Sequence, residues 1–204
     1  MTDSPEPEAQ SAPSEFVKPF LEHLEDLRWM IIKMTVTLAV TMTGSFFFAT
    51  HLLAVIIWPL KRVTGDPSQF LYSLEVTGGF TLAMMLALYA GLVLACPFLL
   101  YFLAQFLLPA LTPKERGMMW PVFAFGVGLF LSGVALAYFA VIPAGLKFFL
   151  DYSKYLGIRS QWVIENYVSF VSHMCLAFGI CFELPLVVLA LAKLGIVTAE
   201  FLRQ

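Results

Sequence analysis

Residues 34–60 read MTVTLAVTMTGSFFFATHLLAVIIWPL, an uncharged run bounded by Lys33 and Lys61. It is longer than the roughly 20 apolar residues an α-helix needs to cross a hydrocarbon core. Three further runs repeat the message. Residues 76–113 carry no charge and are interrupted by Pro97 and Pro109, 117–146 carry none and have Pro143 near their far end, and 166–192 are broken only by Glu183. The second run is too long for one straight helix normal to a membrane, so a long kinked span with an interfacial exit is expected there. The pattern predicts an all-α, polytopic integral membrane protein with four transmembrane helices, near 31–58, 72–104, 118–148 and 164–192. Each tryptophan falls at an expected boundary: Trp29 and Trp58 at the two ends of span one, Trp120 at the start of span three and Trp162 at the start of span four. That is the aromatic belt of a bilayer interface.

Working outward from the spans, composition agrees. Of 204 residues 60% are hydrophobic and 13% charged, against about half and a quarter in a soluble domain. So few charges cannot cover a single soluble core, which excludes a compact soluble enzyme. A net charge of −2 and no basic stripe exclude nucleic-acid binding. The first 26 residues hold seven acids (Asp3, Glu6, Glu8, Glu15, Glu22, Glu25, Asp26) against Lys18, so the remainder is net positive. The opening MTDSPEPEAQSAPSE is acidic and rich in Pro and Ser, unlike the basic start of a signal peptide. Residues 1–18 are therefore expected to form an uncleaved, disordered cytoplasmic tail. Cys96, Cys175 and Cys181 lie within apolar runs without metal-ligand spacing and read as small buried hydrophobes, so neither metal nor cofactor is expected. Orientation follows from seven basic residues on the N-terminal side (Lys18, Arg28, Lys33, Lys114, Arg116, Lys193, Arg203) against five opposite (Lys61, Arg62, Lys147, Lys154, Arg159), which favours a cytoplasmic N-terminus.

Before span one, residues 19–28 read PFLEHLEDLR, with Phe20, Leu24 and Leu27 on one helical face and Glu22, Glu25 and Asp26 away from it. This predicts an amphipathic interfacial helix opening at Pro19. Its acids either solvate the exposed face, helped by Lys18–Glu22 and Glu25–Arg28 pairs, or receive a cationic partner. In span three Ala124, Gly128 and Ser132 form a small-residue stripe suited to close helix packing. Thr112-Pro113-Lys114-Glu115 is a capping box, which gives Glu115 a purely structural reading. Glu183 is the sole charge within the run 166–192, and an intramembrane carboxylate is a functional candidate by default. Its bland alternative is a neutral acid bonding near the Cys181 carbonyl, which Pro185 leaves without a donor.

No enzyme is expected. The nearest approach to the Gly-x-Ser-Gly of an intramembrane protease is Phe130-Leu131-Ser132-Gly133, and no Gly-rich phosphate loop is present. A small-solute transporter would use Glu183 and proline-broken helices, but residues 30–108 and 117–192 show no repeat.

Several motifs then carry a resemblance. They are FLEHLEDLR at 20–28, WPL at 58–60, CPFLLY at 96–101, FLLPALTPKER at 106–116, AYFAVIP at 137–143 and AFGICFELP at 177–185. In this order the chain resembles the twin-arginine protein translocase component TatC. The resemblance implies a six-span fold with both termini cytoplasmic in a prokaryotic inner membrane, of which four spans are present in this chain. It also implies the family's function: binding the twin-arginine signal peptides of folded cargo at the cytoplasmic face, with single-span TatA/TatB-type partners, a homo-oligomeric receptor complex and the proton-motive force. By motif, Asp26 and Glu115 match the carboxylates that receive the signal peptide's arginines, and Arg28 and His23 belong to the same site. Glu183 matches an intramembrane functional acid, and Pro59, Phe80, Pro97 and Phe106 match groove or packing positions. Met30, Phe102 and Ala104 depart from the residues usual in the family.

Overall fold

The computed structural model describes residues 14–107 and 119–193, with side chains from Leu24 to Phe106, from Trp120 to Leu189 and at Ala192. Helix α1 spans Ser14–Phe47. The segment 19–28 is thus no separate interfacial helix, and Pro19 does not open one. Residues 20–43 contain neither Gly nor Pro, so nothing ends the helix at Arg28. Nor is the Glu25–Arg28 pair formed, because the one ion pair among the described residues joins Lys154 to Asp151.

The long run 34–60 is divided between two helices. Gly44 and Ser45 weaken α1, and Phe48 turns out of it at φ −99° and ψ 12°, its N–H donating to the Ser45 carbonyl at 3.1 Å. Helix α2 then runs Ala49–Thr64 and carries Trp58. The membrane-crossing part of α1 is therefore Leu24–Phe47, shifted from the expected 31–58. The other helices long and apolar enough to cross are Gly78–Phe106, Trp120–Tyr155 and Ile164–Leu189, four in all among the described residues. They belong to α3 (Gly78–Leu107), to α4 (Met119–Leu136) joined by a π turn (Ala137–Val141) to α5 (Ile142–Tyr155), and to α6 (Ile164–Lys193). The rod from Trp120 to Tyr155 is about 54 Å long at 1.5 Å per residue, well over the ~30 Å hydrocarbon thickness. Its last turns carry the charged Lys147, Asp151 and Lys154.

Packing runs as a row, α1 on α3, α3 on α6 and α6 on α4. The expected seam of Ala124, Gly128 and Ser132 is not used: all three are exposed or half-buried, and a Cβ on Gly128 would meet nothing within 4 Å. The opposite side of α4 makes the contact, where a Cβ on Gly133 would lie 2.6 Å from the Phe178 carbonyl oxygen of α6. The buried core gathers at the end of the bundle away from the N-terminus. There Leu60, Leu82, Leu86, Ile142, Leu146, Tyr167, Val168 and Val171 close together from α2, α3, α5 and α6. A two-residue parallel ladder, β1 (Leu71–Tyr72) with β2 (Trp162–Val163), ties the connection after α2 to the start of α6.

Gly65 stops α2 in the left-handed region at φ 78°, where a side chain would be strained, and its N–H returns to the Lys61 carbonyl. Asp66 then caps a 3₁₀ turn (Pro67–Gln69). Its carboxylate accepts the Ser68 N–H at 3.1 Å, the Ser68 hydroxyl at 2.7 Å and the Gln69 amide at 3.0 Å. These donors, the Ser68 hydroxyl foremost, hold its pKa below the ordinary 3.8. A depressed carboxylate stabilises the fold at neutral pH and loses that contribution as pH falls through its folded-state pKa. Asp66→Asn should therefore melt below wild type at pH 7, with the two curves converging as the medium is acidified below the ordinary carboxylate range. A gap that persists in acid would show that the charge is not what the turn uses.

Candidate functional site

At the amino-terminal end of the bundle α1 and α3 diverge into a groove of about 330 Å³ lined by Asp26, Trp29, Met30, Lys33, Phe102, Gln105 and Phe106. The spacing explains the lining. Asp26, Trp29, Met30 and Lys33 follow i, i+3, i+4, i+7 on α1, and Phe102, Gln105 and Phe106 follow i, i+3, i+4 on α3, so each set is one helical face. Asp26 is exposed at this groove, a carboxylate beside aromatic and thioether walls. Phe102 extends the apolar wall where the resemblance would place Gln. Gln105 was not singled out from the sequence, and Trp29, Lys33 and Met30 were noted only as span boundaries and as a departure from the family pattern; stepping by helical phase from Asp26 and Phe106 would have placed all four at the groove.

The other residues marked by motif scatter. Arg28 lies about 200° around α1 from Asp26 and does not line the groove. Pro59, in α2, and Phe80, at the start of α3, belong to the opposite end of the bundle, and Pro97 lies inside α3 between the two ends. Phe106 does line the groove. Glu115 and the His23 side chain lie outside the described residues.

Glu183 occupies a second place, between helices. It is 7% exposed, and neither carboxylate oxygen has a hydrogen-bond partner among the described residues. The Phe130 backbone faces it without reaching hydrogen-bond geometry, and the Cys181 carbonyl does not take it up. Gly126 of α4 faces it: a Cβ there would stand in ordinary contact with Oε2 at 3.5 Å, while meeting Cδ2 of Leu186 at 2.8 Å. A buried polar group without a partner costs about 1–3 kcal/mol. Glu183→Met, similar in volume and free of that cost, should raise the melting temperature in detergent by about 3 °C or more. A lower melting temperature would mean the carboxyl has a favourable partner after all.

Sequence reasoning also passed over a polar contact between α3 and α6. The His173 imidazole approaches the Tyr89 hydroxyl through Nε2 at 3.3 Å and the Ser169 carbonyl through Nδ1 at 2.7 Å. With Nδ1–H donating and Nε2 accepting, a neutral ring satisfies both nitrogens.

Comparison with known proteins now decides the family. Residues 22–204 match the family described as Sec-independent protein translocase protein (TatC). The chain belongs to the TatC family. A TatC protein of Akkermansia muciniphila is 46% identical over 125 residues, covering 61% of this chain and 36% of that protein. One from Desulforapulum autotrophicum is 33% identical over 186 residues, covering 91% and 68%. A crystal structure of the twin-arginine translocase receptor TatC superposes with a TM-score of 0.79 at 31% identity, covering 89% of this chain and 79% of that one. The motifs that carried the resemblance, from FLEHLEDLR to AFGICFELP, fall almost wholly within the matched range. TatC proteins are translocase components and not enzymes, in keeping with the failed protease and phosphate-loop motifs. The apolar helices make this member a multi-pass membrane protein.

Proposed function

We propose that this chain acts as the signal-peptide receptor of a twin-arginine export system, with the α1/α3 groove facing the cytoplasm of a prokaryotic inner membrane. The observation that carries the reading is Asp26, held by α1 at an apolar groove in a chain of the TatC family. A planar guanidinium pairs with a carboxylate through two parallel hydrogen bonds, which an ammonium cannot reproduce. Trp29, Met30, Phe102 and Phe106 offer apolar surface to the hydrophobic part of a signal peptide, while Asp26 and Glu115 supply the two charges for its arginine pair. Arg28, which does not line the groove, and His23 are assigned to the site by motif. Glu183, buried without a partner, is suited to a polar group on a single-span TatA/TatB-type protein, since that contact would relieve its desolvation. Assembly into a homo-oligomeric receptor complex and use of the proton-motive force complete the proposal.

The direct test is binding of a twin-arginine peptide and its twin-lysine counterpart to the purified protein. The arginine peptide should bind about 10-fold tighter or more. Equal binding of the two would remove the receptor reading.

A further inference from the structure

Pro59 leaves one carbonyl of α2 without its helical donor, and tyrosines from two other helices bond to that carbonyl and to the next. A proline at position 59 has no N–H for the Val55 carbonyl four residues earlier, and its ring pushes that carbonyl off the helix axis. In the structure the Tyr138 hydroxyl donates to the Val55 carbonyl at 2.6 Å. One residue on, the Tyr167 hydroxyl donates to the Ile56 carbonyl at 2.8 Å, and the Leu60 amide approaches the same hydroxyl. Leu60, unlike Pro59, has an N–H of its own for Ile56, so Tyr167 adds a second donor at that carbonyl, whose oxygen has two lone pairs.

Everything around these contacts is built to keep them. Pro59 and Leu60 are fully buried, and Tyr167 is 3% exposed. The Tyr138 ring stacks on Trp58 at 5.8 Å with 13° between planes, and Arg62 covers the Trp58 ring at 5.5 Å. The Tyr167 ring stacks on Trp162, which pairs through β2 with Leu71 of β1. Tyr138 lies in the π turn Ala137–Val141, where an extra residue per turn changes the direction in which side chains leave the helix. A backbone carbonyl shut away from water costs free energy unless a donor from the protein reaches it.

We propose that Tyr138 and Tyr167 are positioning residues: the Tyr138 hydroxyl replaces the donor Pro59 lacks, the Tyr167 hydroxyl adds a second bond one residue on, and together they latch α2 against α6 and the π turn in the arrangement translocation requires. The latch itself rests on the fold, while its importance for transport rests on the translocase reading. Pro59→Ala is the informative partner substitution, because residue 59 then supplies its own N–H to Val55.

Tyr138→Phe and Tyr167→Phe are made both in the wild-type background and in the Pro59→Ala background, and all are melted in detergent. With the proline in place each loss of a hydroxyl should lower the melting temperature by about 3–6 °C; in the Pro59→Ala background the Tyr138→Phe loss should shrink to less than half, while the Tyr167→Phe loss should stay the same. Equal Tyr138→Phe losses in both backgrounds would overturn the latch. In cells that depend on this chain, transport of a folded twin-arginine reporter by the Tyr138→Phe variant should fall about 5-fold or more, with twin-arginine peptide binding unchanged. Full transport by both Phe variants would overturn the positioning role. Wild type that exports no reporter would instead sink the translocase reading and leave the latch to be judged on the melting cycle.

Discussion

Gly91→Val should unfold this protein more readily than any exposed substitution, lowering the melting temperature in detergent by about 6 °C or more. A Cβ on Gly91 of α3 would stand 2.7 Å from Cγ of Met42, 2.8 Å from its Cα and 2.9 Å from its backbone nitrogen. A side chain can rotate away from such a clash, but a helix backbone cannot, so α1 must move bodily off α3. That pair is the most extensively packed in the bundle, and α1 has little else to hold it. The penalty is set at about 3 kcal/mol, the upper part of the usual range for overpacking. The same displacement opens the groove. Asp26 lies 16 residues from Met42 along α1, about 24 Å at helical rise, so a small change of crossing angle moves it by ångströms relative to Phe102 and Gln105. Peptide binding should fall with stability. Gly128→Val, into open space on α4, is the control and should change stability by no more than about 0.5 kcal/mol. If Gly91→Val melts with wild type, the close approach of α1 and α3 is not real.

What could be read from the sequence and what could not divide along a physical line. Bilayer crossing is a property of length and apolarity within one segment, so the four runs announced themselves, and Trp29 and Trp120 marked the ends of theirs. The division of residues 34–60 into α1 and α2 was missed, because Gly44-Ser45 is a weak local signal inside a run whose hydropathy never drops. Contacts between segments were the least legible. The stripe Ala124, Gly128, Ser132 looked like a packing seam, yet helical period alone cannot say which face meets a neighbour, and the contact falls on Gly126 and Gly133. Pro59 was marked as a groove or packing position, but nothing near it in sequence pointed to Tyr138, 79 positions on, or to Tyr167. For the site, Asp26 was singled out as part of a recurring motif, whereas Trp29, Met30 and Lys33 share its face without sharing the motif's emphasis.

Removing charge at the groove should abolish discrimination and leave the fold in place. Asp26 is exposed on a helix that stays α-helical through this region, so Asp26→Asn changes one oxygen to a nitrogen without disturbing packing. Glu115→Gln removes the charge of the second proposed acid and keeps the capping-box pattern that the sequence shows from Thr112. A charge-assisted, two-bond contact is worth about 1.5–3 kcal/mol, so each variant should bind a twin-arginine peptide about 10- to 100-fold more weakly. The twin-lysine peptide, which forms no fork-to-fork pair, should lose less, so the preference for arginine collapses in the double variant. Lys33 sharpens the expectation. It lies two turns along the groove from Asp26 with the opposite sign, so once the acids are neutral the groove repels a cationic peptide instead of attracting it. Raising salt from low to physiological strength should accordingly weaken the wild type and spare the double variant. Variants that keep arginine preference while melting as wild type would show that the peptide's charges are read elsewhere, and the groove would then hold only its apolar part.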